Sequence, residues 1–346
     1  MKYIDHGKHI KGAKSVKKGL ILSFISIIVA ATLFLIFSQG TSPLSHTITI
    51  GTSASLNSAL IMTADENGYF KKEGISVDLV SYKSAGAAFN DMLKGNIQLA
   101  AVSETPIMYK RFKTNDFHIL ATLSTSSNDP KIVIREDAAP PQINDLTGMR
   151  IGTTKQGQSA HFFLYLFLLK NNIRSGTVTT VHDSPAGIVD RLVNGDISAA
   201  SLFEPYATYA LDRLKEKGSV FMMPGVYSKT FNLVAHPKFI TDNPEAVKRF
   251  LRALILAEHF AINQPEKFLA IITRNFKIEN RIVNDYLSYS SFEISLHSSL
   301  IQTMRDEAKW AIIKKLTNET EVPDFSKMIY PDPLRSIRPE CVTTRK

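Results

Sequence analysis

The amino-acid sequence predicts an α/β protein of two similar lobes, each a mostly parallel sheet flanked by helices, followed by C-terminal helices. Three observations support this prediction. A strand-helix-strand-helix-strand pattern begins at Thr47, the same pattern returns from Met149, and a series of amphipathic helices follows Phe231. Crossover helices between short apolar strands indicate parallel sheets whose faces are covered by helices.

The first unit begins with "TITIG", in which β-branched residues alternate before a glycine, as in a short strand that enters a turn. The run "SALIMTADENGYFKKEG" has helical spacing and stops at Gly74. A strand "ISVDLVSY", a helix "AAFNDMLKG" and a strand "IQLAAVS" complete the unit.

The second unit repeats this order as "MRIGTT", "SAHFFLYLFLLKNN", "TVTTVH", "IVDRLVNG" and "DISAASLF". Matching residues keep an offset of 101 or 100 positions, namely Gly51 and Gly152, Gly86 and Gly187, Gly95 and Gly195, Ile97 and Ile197, Ala100 and Ala200, and Glu104 and Glu204. Because the matches keep their order over three successive motifs, they indicate two lobes of the same architecture.

After the second unit, "FNLVAHPKFI" predicts a strand, and the rest of the chain predicts helices with start signals at Asn243-Pro244 and Gln264-Pro265. These helices need an apolar surface to cover. We therefore expect residues 47–128 and 232–346 to form the first lobe with the C-terminal helices, and residues 129–231 to form the second.

Residues 1–46 form a basic N-terminal segment with an apolar stretch at 20–37. The formal net charge of the chain is +9, and the first 40 residues hold six Lys and one Asp, so they carry +5 and the remainder only +4. The apolar stretch is either a cleaved export signal or a retained membrane anchor. In both cases the positive-inside rule places the rest of the chain outside the cytoplasm. No nucleic-acid-binding motif appears, so we expect no nucleic-acid partner.

Ligands of open parallel sheets bind beyond the carboxyl ends of the strands. Two facing lobes would bring six loops onto one cleft, at residues 53–57, 83–86, 103–105, 155–159, 183–187 and 203–206. The helices that begin "SALI" and "SAHF" have no acidic residue in their first turn, and Lys83 and Lys155 lie nearby. This pattern favours a bound anion, although the Ser, Asn and Gln side chains also suit helix capping.

Glu104 and Glu204 end equivalent strands, and their pattern leaves two interpretations open. They are either solvated charges at the strand ends or partners for an amine on the ligand. No nucleophile or metal cluster accompanies them, so we expect no catalytic residue, metal or cofactor. We expect His161 to face the cleft mouth as a ligand contact or a cap. Tyr109, Phe203 and Tyr206 are candidates to stack on a flat ligand.

Several motifs resemble the periplasmic substrate-binding proteins of ABC importers of the nitrate, sulfonate and taurine group, to which binders of thiamine-pyrimidine precursors are related. The motifs are "ADENGYFKKEGISVDLV", "MLKGNIQLAAVSETP", "DLTGMRIGTTKQGQSAHFFL", "LVNGDISAASLFEPY" and "NPEAVKRFLRA". The resemblance covers residues 47–344 and implies the two-lobed type II fold of periplasmic binding proteins. It places the ligand shell at Ser53, Asn57, Ser84, Gly86, Ser103, Gln158, Ser159, His161 and Glu204, to which the strand-end pattern adds Glu104.

The resemblance implies an extracytoplasmic monomer that captures a small sulfonate, taurine or nitrate-like ligand and delivers it to an ABC permease in the membrane. The protein would be periplasmic, or tethered to the inner membrane by an uncleaved N-terminal helix. Two alternatives are a binder of an aminopyrimidine precursor of thiamine and an enzyme of the same fold that acts on a pyrimidine-like compound. A tethered sensory domain is a third possibility.

Overall fold

The computed structural model describes residues 47–53, 55–137 and 146–344. The predicted signal or anchor at residues 20–37 lies outside the described residues. Within the described part of the chain, no helix is long and apolar enough to cross a membrane.

The first lobe is built on a six-stranded sheet with the strand order β11-β4-β10-β3-β1-β2. Its strands are β1 Thr47–Ser53, β2 Ser76–Tyr82, β3 Leu99–Ser103, β4 His118–Ser126, β10 Lys229–Ala235 and β11 Ser290–Ser291. Strand β1 pairs in parallel with β2 and β3, whereas β10 runs antiparallel between β3 and β4. Strands β1 to β4 therefore all run in one direction.

The second lobe is built on a five-stranded sheet with the strand order β7-β6-β8-β5-β9. Its strands are β5 Lys131–Arg135, β6 Arg150–Thr153, β7 Thr179–His182, β8 Ala199–Leu202 and β9 Gly218–Phe221. Strand β6 pairs in parallel with β7 and β8, and β5 runs antiparallel to β8 and β9. The two lobes thus share a parallel three-stranded segment and a reversed fourth strand.

Thirteen α-helices lie within the described residues. In chain order, α1 to α13 are Ala59–Glu66, Tyr69–Lys72, Ala85–Leu93, Glu104–Arg111, Ser159–Lys170, Pro185–Asn194, Tyr206–Leu214, Pro237–Asp242, Pro244–Asn263, Pro265–Phe276, Asn280–Ser288, Ser298–Ile313 and Asp332–Ile337. The single helix expected up to Gly74 is divided into a 3₁₀ turn at Leu56–Ser58, α1 and α2. The break lies at Gly68, whose left-handed φ of +66° ends the first segment.

Strands β4 and β5 escaped the sequence prediction, which treated the region between the two units as a connection. Six consecutive residues of β4 are buried, and four of the five residues of β5 are buried. A strand that is buried on both faces shows no alternation of apolar and polar residues, so its pattern carries little signal.

The chain passes between the sheets twice, after β4 and again before β10, which begins at Lys229. The proposed lobe boundary at residues 128/129 lies in the first connection, whereas the boundary at 231/232 falls inside β10, which belongs to the sheet of the first lobe. Helices α9 and α10 begin at Pro244 and Pro265, as the start signals indicated. Helix α9 covers the first lobe, where Phe250 stacks on Phe70 with 4.8 Å between the ring centroids.

The repeated glycines fill equivalent positions in the two lobes. A Cβ atom added to Gly51 would lie 2.6 Å from Cδ1 of Ile97, and a Cβ added to Gly152 would collide with Cδ1 of Ile197. Each glycine lets a helix and an isoleucine approach its first parallel strand closely. The matching glycines and isoleucines of the two units therefore correspond to one packing arrangement that occurs in both lobes.

Candidate functional site

A cavity of about 290 Å³ lies between the two lobes, and we call it the cleft. The first lobe contributes the ends of β1, β2 and β3 and the start of β10, and the second contributes the start of α5 and the turn after β8. The lining residues are Ser53, Ser55, Asn57, Tyr82, Lys83, Ser84, Ala85, Gly86, Ser103, Pro106, Gln158, Ser159, Pro185, Phe203, Tyr206, Lys229 and Phe231. Pockets at the carboxyl ends of parallel strands are the usual ligand sites of α/β folds.

Seven of the ten residues proposed from the sequence line the cleft together. They are Ser53, Asn57, Ser84, Gly86, Ser103, Gln158 and Ser159. They come from both lobes, and the first and the last of them, Ser53 and Ser159, are more than 100 positions apart in the sequence. Their convergence on one cavity is compatible with a ligand shell, and their contact with a ligand stays a prediction. The other three residues, Glu104, His161 and Glu204, do not line the cleft.

Asn57 is fixed at the cleft wall by the C-terminal part of the chain. Its side chain is 3% exposed, and its Oδ1 accepts hydrogen bonds from Tyr286 Oη at 2.6 Å and from Ser124 Oγ at 3.3 Å. Its Nδ2 donates to Ser55 Oγ at 3.0 Å. These bonds hold the turn between β1 and α1 in place, so the loop presents a fixed polar surface to the cavity.

Helix α5 directs its N-terminus at the cleft. The helix begins at Ser159, has no acidic residue in its first turn, and is preceded by Gln158, whose side chain makes no capping hydrogen bond. Ser84, by contrast, already caps α3, because its Oγ accepts a hydrogen bond from the backbone N–H of Ala87 at 3.2 Å. The positive end of α5 is therefore not satisfied by a side chain of its own and favours an anion in the cleft.

Lys229 is a cleft residue that the sequence reasoning missed. Its side chain lines the cavity although the residue is only 4% exposed, and its ammonium forms an ion pair with the buried carboxylate of Asp129. The ammonium also lies 5.6 Å from the ring centroid of Phe203. The available signal was weak, because a lysine just before an apolar strand usually belongs to the surface.

Aromatic side chains form the apolar part of the cleft. Of the three aromatic residues expected to stack on a ligand, Phe203 and Tyr206 line the cavity, and their rings meet edge to face at 5.6 Å. Tyr82 and Phe231 also line it. Tyr109 does not, because its ring packs against Trp310 with 6.5 Å between the centroids.

The expectation that Glu204 is a solvated charge is wrong in this structure, and the residue does not line the cleft. The residue is 4% exposed, and its carboxylate forms an ion pair with Lys131 at 2.8 Å and accepts a hydrogen bond from the N–H of Thr208 at 3.2 Å. Lys131 also contacts Asp285 of α11 at 2.5 Å. The carboxylate therefore connects elements of the protein, because a buried charge must find its partners inside the fold.

Glu104 is likewise buried, at 0% exposure, and its carboxylate is held by protein groups. It accepts hydrogen bonds from Thr230, through N–H at 2.7 Å and through Oγ1 at 2.9 Å, and from the hydroxyl of Tyr227. Its interpretation as a solvated charge is therefore wrong as well, and Glu104 does not line the cleft. The sequence could not reveal this burial, because the groups that hold Glu104 come from residues more than 120 positions away.

Beside Glu104 lies a second buried carboxyl, Glu307 of α12, which is 0% exposed. Its Oε1 accepts a hydrogen bond from Thr105 Oγ1 at 2.6 Å, whereas its Oε2 has no partner. Burial, and secondarily the charge of Glu104, raises the pKa of Glu307 well above its usual value. We infer that Glu104, which accepts more hydrogen bonds, carries the charge and that Glu307 holds a proton.

This proton predicts how stability changes with pH. Because the pKa of Glu307 is higher in the folded than in the unfolded chain, the folded state binds the proton more tightly, and stability falls as the pH rises above the unfolded pKa. Because burial also raises the pKa of Glu104, Glu307→Gln is expected to reduce this fall and to be more stable than the wild type at pH 8. Urea denaturation of both proteins from pH 5 to pH 8 measures the difference. Parallel curves for the two proteins would contradict the inferred proton.

His161 does not face the cleft mouth as expected. Its ring lies between Trp310 and His182, with centroid distances of 5.4 and 5.3 Å. Burial, with a smaller contribution from His182, lowers the pKa of His161 to about 4, so the imidazole is neutral at neutral pH. Position 161 is the third residue of α5, and the helix turns its side chain toward α12.

The comparisons with known proteins agree with this architecture. The family model described as NMT1/THI5 like matches residues 55–268 of the 346-residue chain. A relative from Brucella abortus, named as a binding protein, is 23% identical over 228 residues, which cover 62% of this chain and 67% of the relative.

Solved structures confirm the two-lobed fold of periplasmic binding proteins. The alkanesulfonate-binding protein SsuA of Xanthomonas axonopodis pv. citri, bound to MOPS, is 15% identical and has a TM-score of 0.71 over 84% of this chain and 100% of that one. The nitrate-binding protein NrtA of Synechocystis is 17% identical and has a TM-score of 0.66 over 86% and 89%. The desulfurization enzyme DSZB is 16% identical and has a TM-score of 0.61 over 84% and 98%. Because the family model matches more than half of its residues, this chain belongs to the NMT1/THI5-like family, and it has the fold of periplasmic binding proteins.

Proposed function

We propose that this chain is the solute-binding protein of an ABC importer and that it captures a small organic anion of the sulfonate class between its two lobes. The proposal rests on the family, on the fold and on the chemistry of the cleft. SsuA and NrtA, which share the fold, are binding proteins for anions.

The observation that carries the ligand class is the charge of the cleft wall. Lys83 and Lys229 line the cavity, and no Asp or Glu occurs among the described lining residues. Glu104 and Glu204, which would have attracted an amine, are instead engaged by protein groups. Lys83 and the N-terminus of α5 favour a negatively charged ligand, and Lys229, whose charge is paired with Asp129, supplies an ammonium donor in the wall.

The size and apolar walls of the cleft favour an organic anion over an inorganic one. The volume of about 290 Å³ is close to the lower limit for ligand pockets, which is roughly 300 Å³. Four aromatic rings, those of Tyr82, Phe203, Tyr206 and Phe231, would remain poorly covered by an ion as small as nitrate. A sulfonate with a short apolar or aromatic group would use both the charged and the apolar surfaces.

A thermal-shift screen of the full chain tests the proposal. We expect alkanesulfonates and arylsulfonates to raise the melting temperature, whereas taurine, whose ammonium group finds no carboxylate among the described lining residues, should act more weakly. Matched alkanols, which lack the anionic group, serve as controls. If no sulfonate raises the melting temperature more than its alkanol, the ligand class is wrong.

An aminopyrimidine precursor of thiamine is the second candidate, because the aromatic walls of the cleft suit a flat ring. It belongs in the same screen, and a shift with this compound alone would favour it. Since DSZB is an enzyme with this fold, each stabilising compound should also be incubated with the protein and analysed for chemical conversion. Recovery of unchanged ligand supports a binding role.

Trp310 is expected to report ligand binding through its fluorescence. It is the only tryptophan in the sequence, and it contacts Tyr109 of α4 in the first lobe and Phe162 of α5 in the second, with centroid distances of 6.5 and 4.9 Å. A ligand that draws the lobes together shifts the population of states and changes these contacts. We expect the Trp310 emission to change during a sulfonate titration and the change to be lost when Lys229 of the cleft is replaced by Met. A stabilising ligand that leaves the emission unchanged would contradict lobe movement.

We place the protein outside the cytoplasm as a monomer that delivers its ligand to an ABC permease. The basic segment and apolar stretch at the N-terminus support this location, and both the periplasmic and the tethered form fit the sequence. Fractionation of cells that produce the full chain distinguishes them. Release with the soluble periplasm indicates cleavage, whereas recovery with the membrane indicates an anchor.

A further inference from the structure

A second concave region lies away from the cleft, between α5 and the C-terminal end of α12. It consists of two adjoining cavities of about 190 and 530 Å³, which share the lining residues Tyr165, Leu168, Ser175 and Lys314. We call this region the helix groove. None of its lining residues belongs to the cleft.

Two residues that line the smaller cavity each have a buried nitrogen atom without a hydrogen-bond partner among the described residues. Trp310 lines it, is 4% exposed, and its buried Nε1–H donates to no group. The buried Nδ1 of His161, which lines the same cavity, also has no partner. Buried indole N–H groups normally find an acceptor, so the unpaired N–H of Trp310 favours a ligand that carries oxygen atoms at this end of the groove.

Two basic side chains, Lys314 and Arg174, line the cavities near their junction. Lys314 is the C-cap residue of α12, and it lines the smaller cavity together with Trp310 of the last turns of that helix. The Lys314 ammonium donates to Ser175 Oγ at 3.1 Å and lies 5.0 Å from the ring centroid of Tyr165. Arg174 lines the larger cavity, and the described lining of the groove contains no Asp or Glu. An anion at the junction would meet positive charge and hydrogen-bond donors.

Apolar side chains continue from this junction along α5. Leu168 and Ile173 form the floor of the larger cavity, and Leu169, at its edge, is 58% exposed. An exposed leucine alone is ordinary, but one beside a groove with a cationic end is suited to cover an alkyl chain.

We propose that the helix groove binds a small amphiphilic organic anion. Its acid group lies against the Lys314 ammonium beside Trp310, and its alkyl chain follows Leu168, Leu169 and Ile173. The ligand is a free amphiphile and not a lipid in a bilayer, because its acid group must reach a tryptophan that is almost fully buried. This site is separate from the cleft, and the proposal holds whichever solute the cleft takes.

The single tryptophan makes the test specific. The one indole N–H signal in a nitrogen-15 correlation spectrum of the full chain reports directly on Trp310. We expect octanoate to shift this signal in a saturable manner and octanol to shift it far less. In Lys314→Glu the octanoate concentration at half-maximal shift should rise by about 10-fold or more, as expected for the loss of a charge-assisted hydrogen bond.

Two control variants test whether the octanoate shift arises in the helix groove. Lys267→Glu makes the same charge change on an exposed residue of α10 and should leave the octanoate titration unchanged. Lys229→Met/Asp129→Asn, which disables the cleft, should also keep the titration. Loss of the octanoate shift in this cleft variant, equal shifts with octanol, or a shift only with phosphatidylglycerol vesicles would each overturn the proposal.

Discussion

Replacing Lys229 by Met is expected to abolish sulfonate binding in the cleft and to lower the free energy of unfolding by about 3–5 kcal/mol. The ammonium of Lys229 is the buried positive charge of the cleft wall and the ion-pair partner of Asp129, which is 3% exposed. Methionine keeps an apolar stem of similar length but leaves the Asp129 carboxylate buried without its cation. Urea denaturation measures the loss of stability, and calorimetric titration with a stabilising sulfonate measures the loss of affinity.

The double variant Lys229→Met/Asp129→Asn separates the two effects. The introduced asparagine has no charge to compensate, and its side-chain oxygen can still accept the hydrogen bond that the N–H of Glu204 donates to Asp129 at 3.1 Å. We expect this variant to recover most of the lost stability while its ligand affinity stays low. Recovery of full affinity together with stability would exclude Lys229 as a ligand contact.

Gly152→Ala is expected to destabilise the second lobe by about 1–3 kcal/mol, because the added methyl group collides with Cδ1 of Ile197. Ile197→Val removes this Cδ1 atom and is expected to cost about 0.5–1.5 kcal/mol alone. In the double variant the two costs should add only in part, since valine removes the contact with Cδ1 but leaves the contact of 2.9 Å with Cγ2 of Ile188. Thermal and urea denaturation of the wild type, the two single variants and the double variant measures the four free energies of this double-mutant cycle.

Gly176→Ala provides the matched control for this cycle. A Cβ atom at Gly176 meets no atom within 4 Å, so this substitution should change stability by less than about 0.5 kcal/mol. Additive effects of Gly152→Ala and Ile197→Val would show that the glycine is not required by this contact. The same cycle at Gly51 should recover less, because a Cβ there also lies 2.8 Å from Cβ of Ala88, which cannot move aside.

Local pattern was sufficient for much of the architecture. The alternation in β1, the helical spacing of α1 and the Pro start signals of α9 and α10 depend on neighbouring residues, and each predicted the element found. Strand β4 was missed because its burial on both faces removes the alternation. The repeat then located the strand ends in both lobes, and with them seven of the residues that line the cleft.

The sequence by itself determined the two α/β units and the polar loops at the ends of their strands, because secondary structure and turns follow from residues close in the chain. Only the tertiary structure decided which charges face the cleft. Glu104 and Glu204 end equivalent strands, yet both are engaged by distant groups such as Thr230 and Lys131. Lys229 enters the cleft wall because an antiparallel strand returns to the first sheet there. The electrostatic character of the cleft depends on partners that are far apart in the chain and meet only after folding.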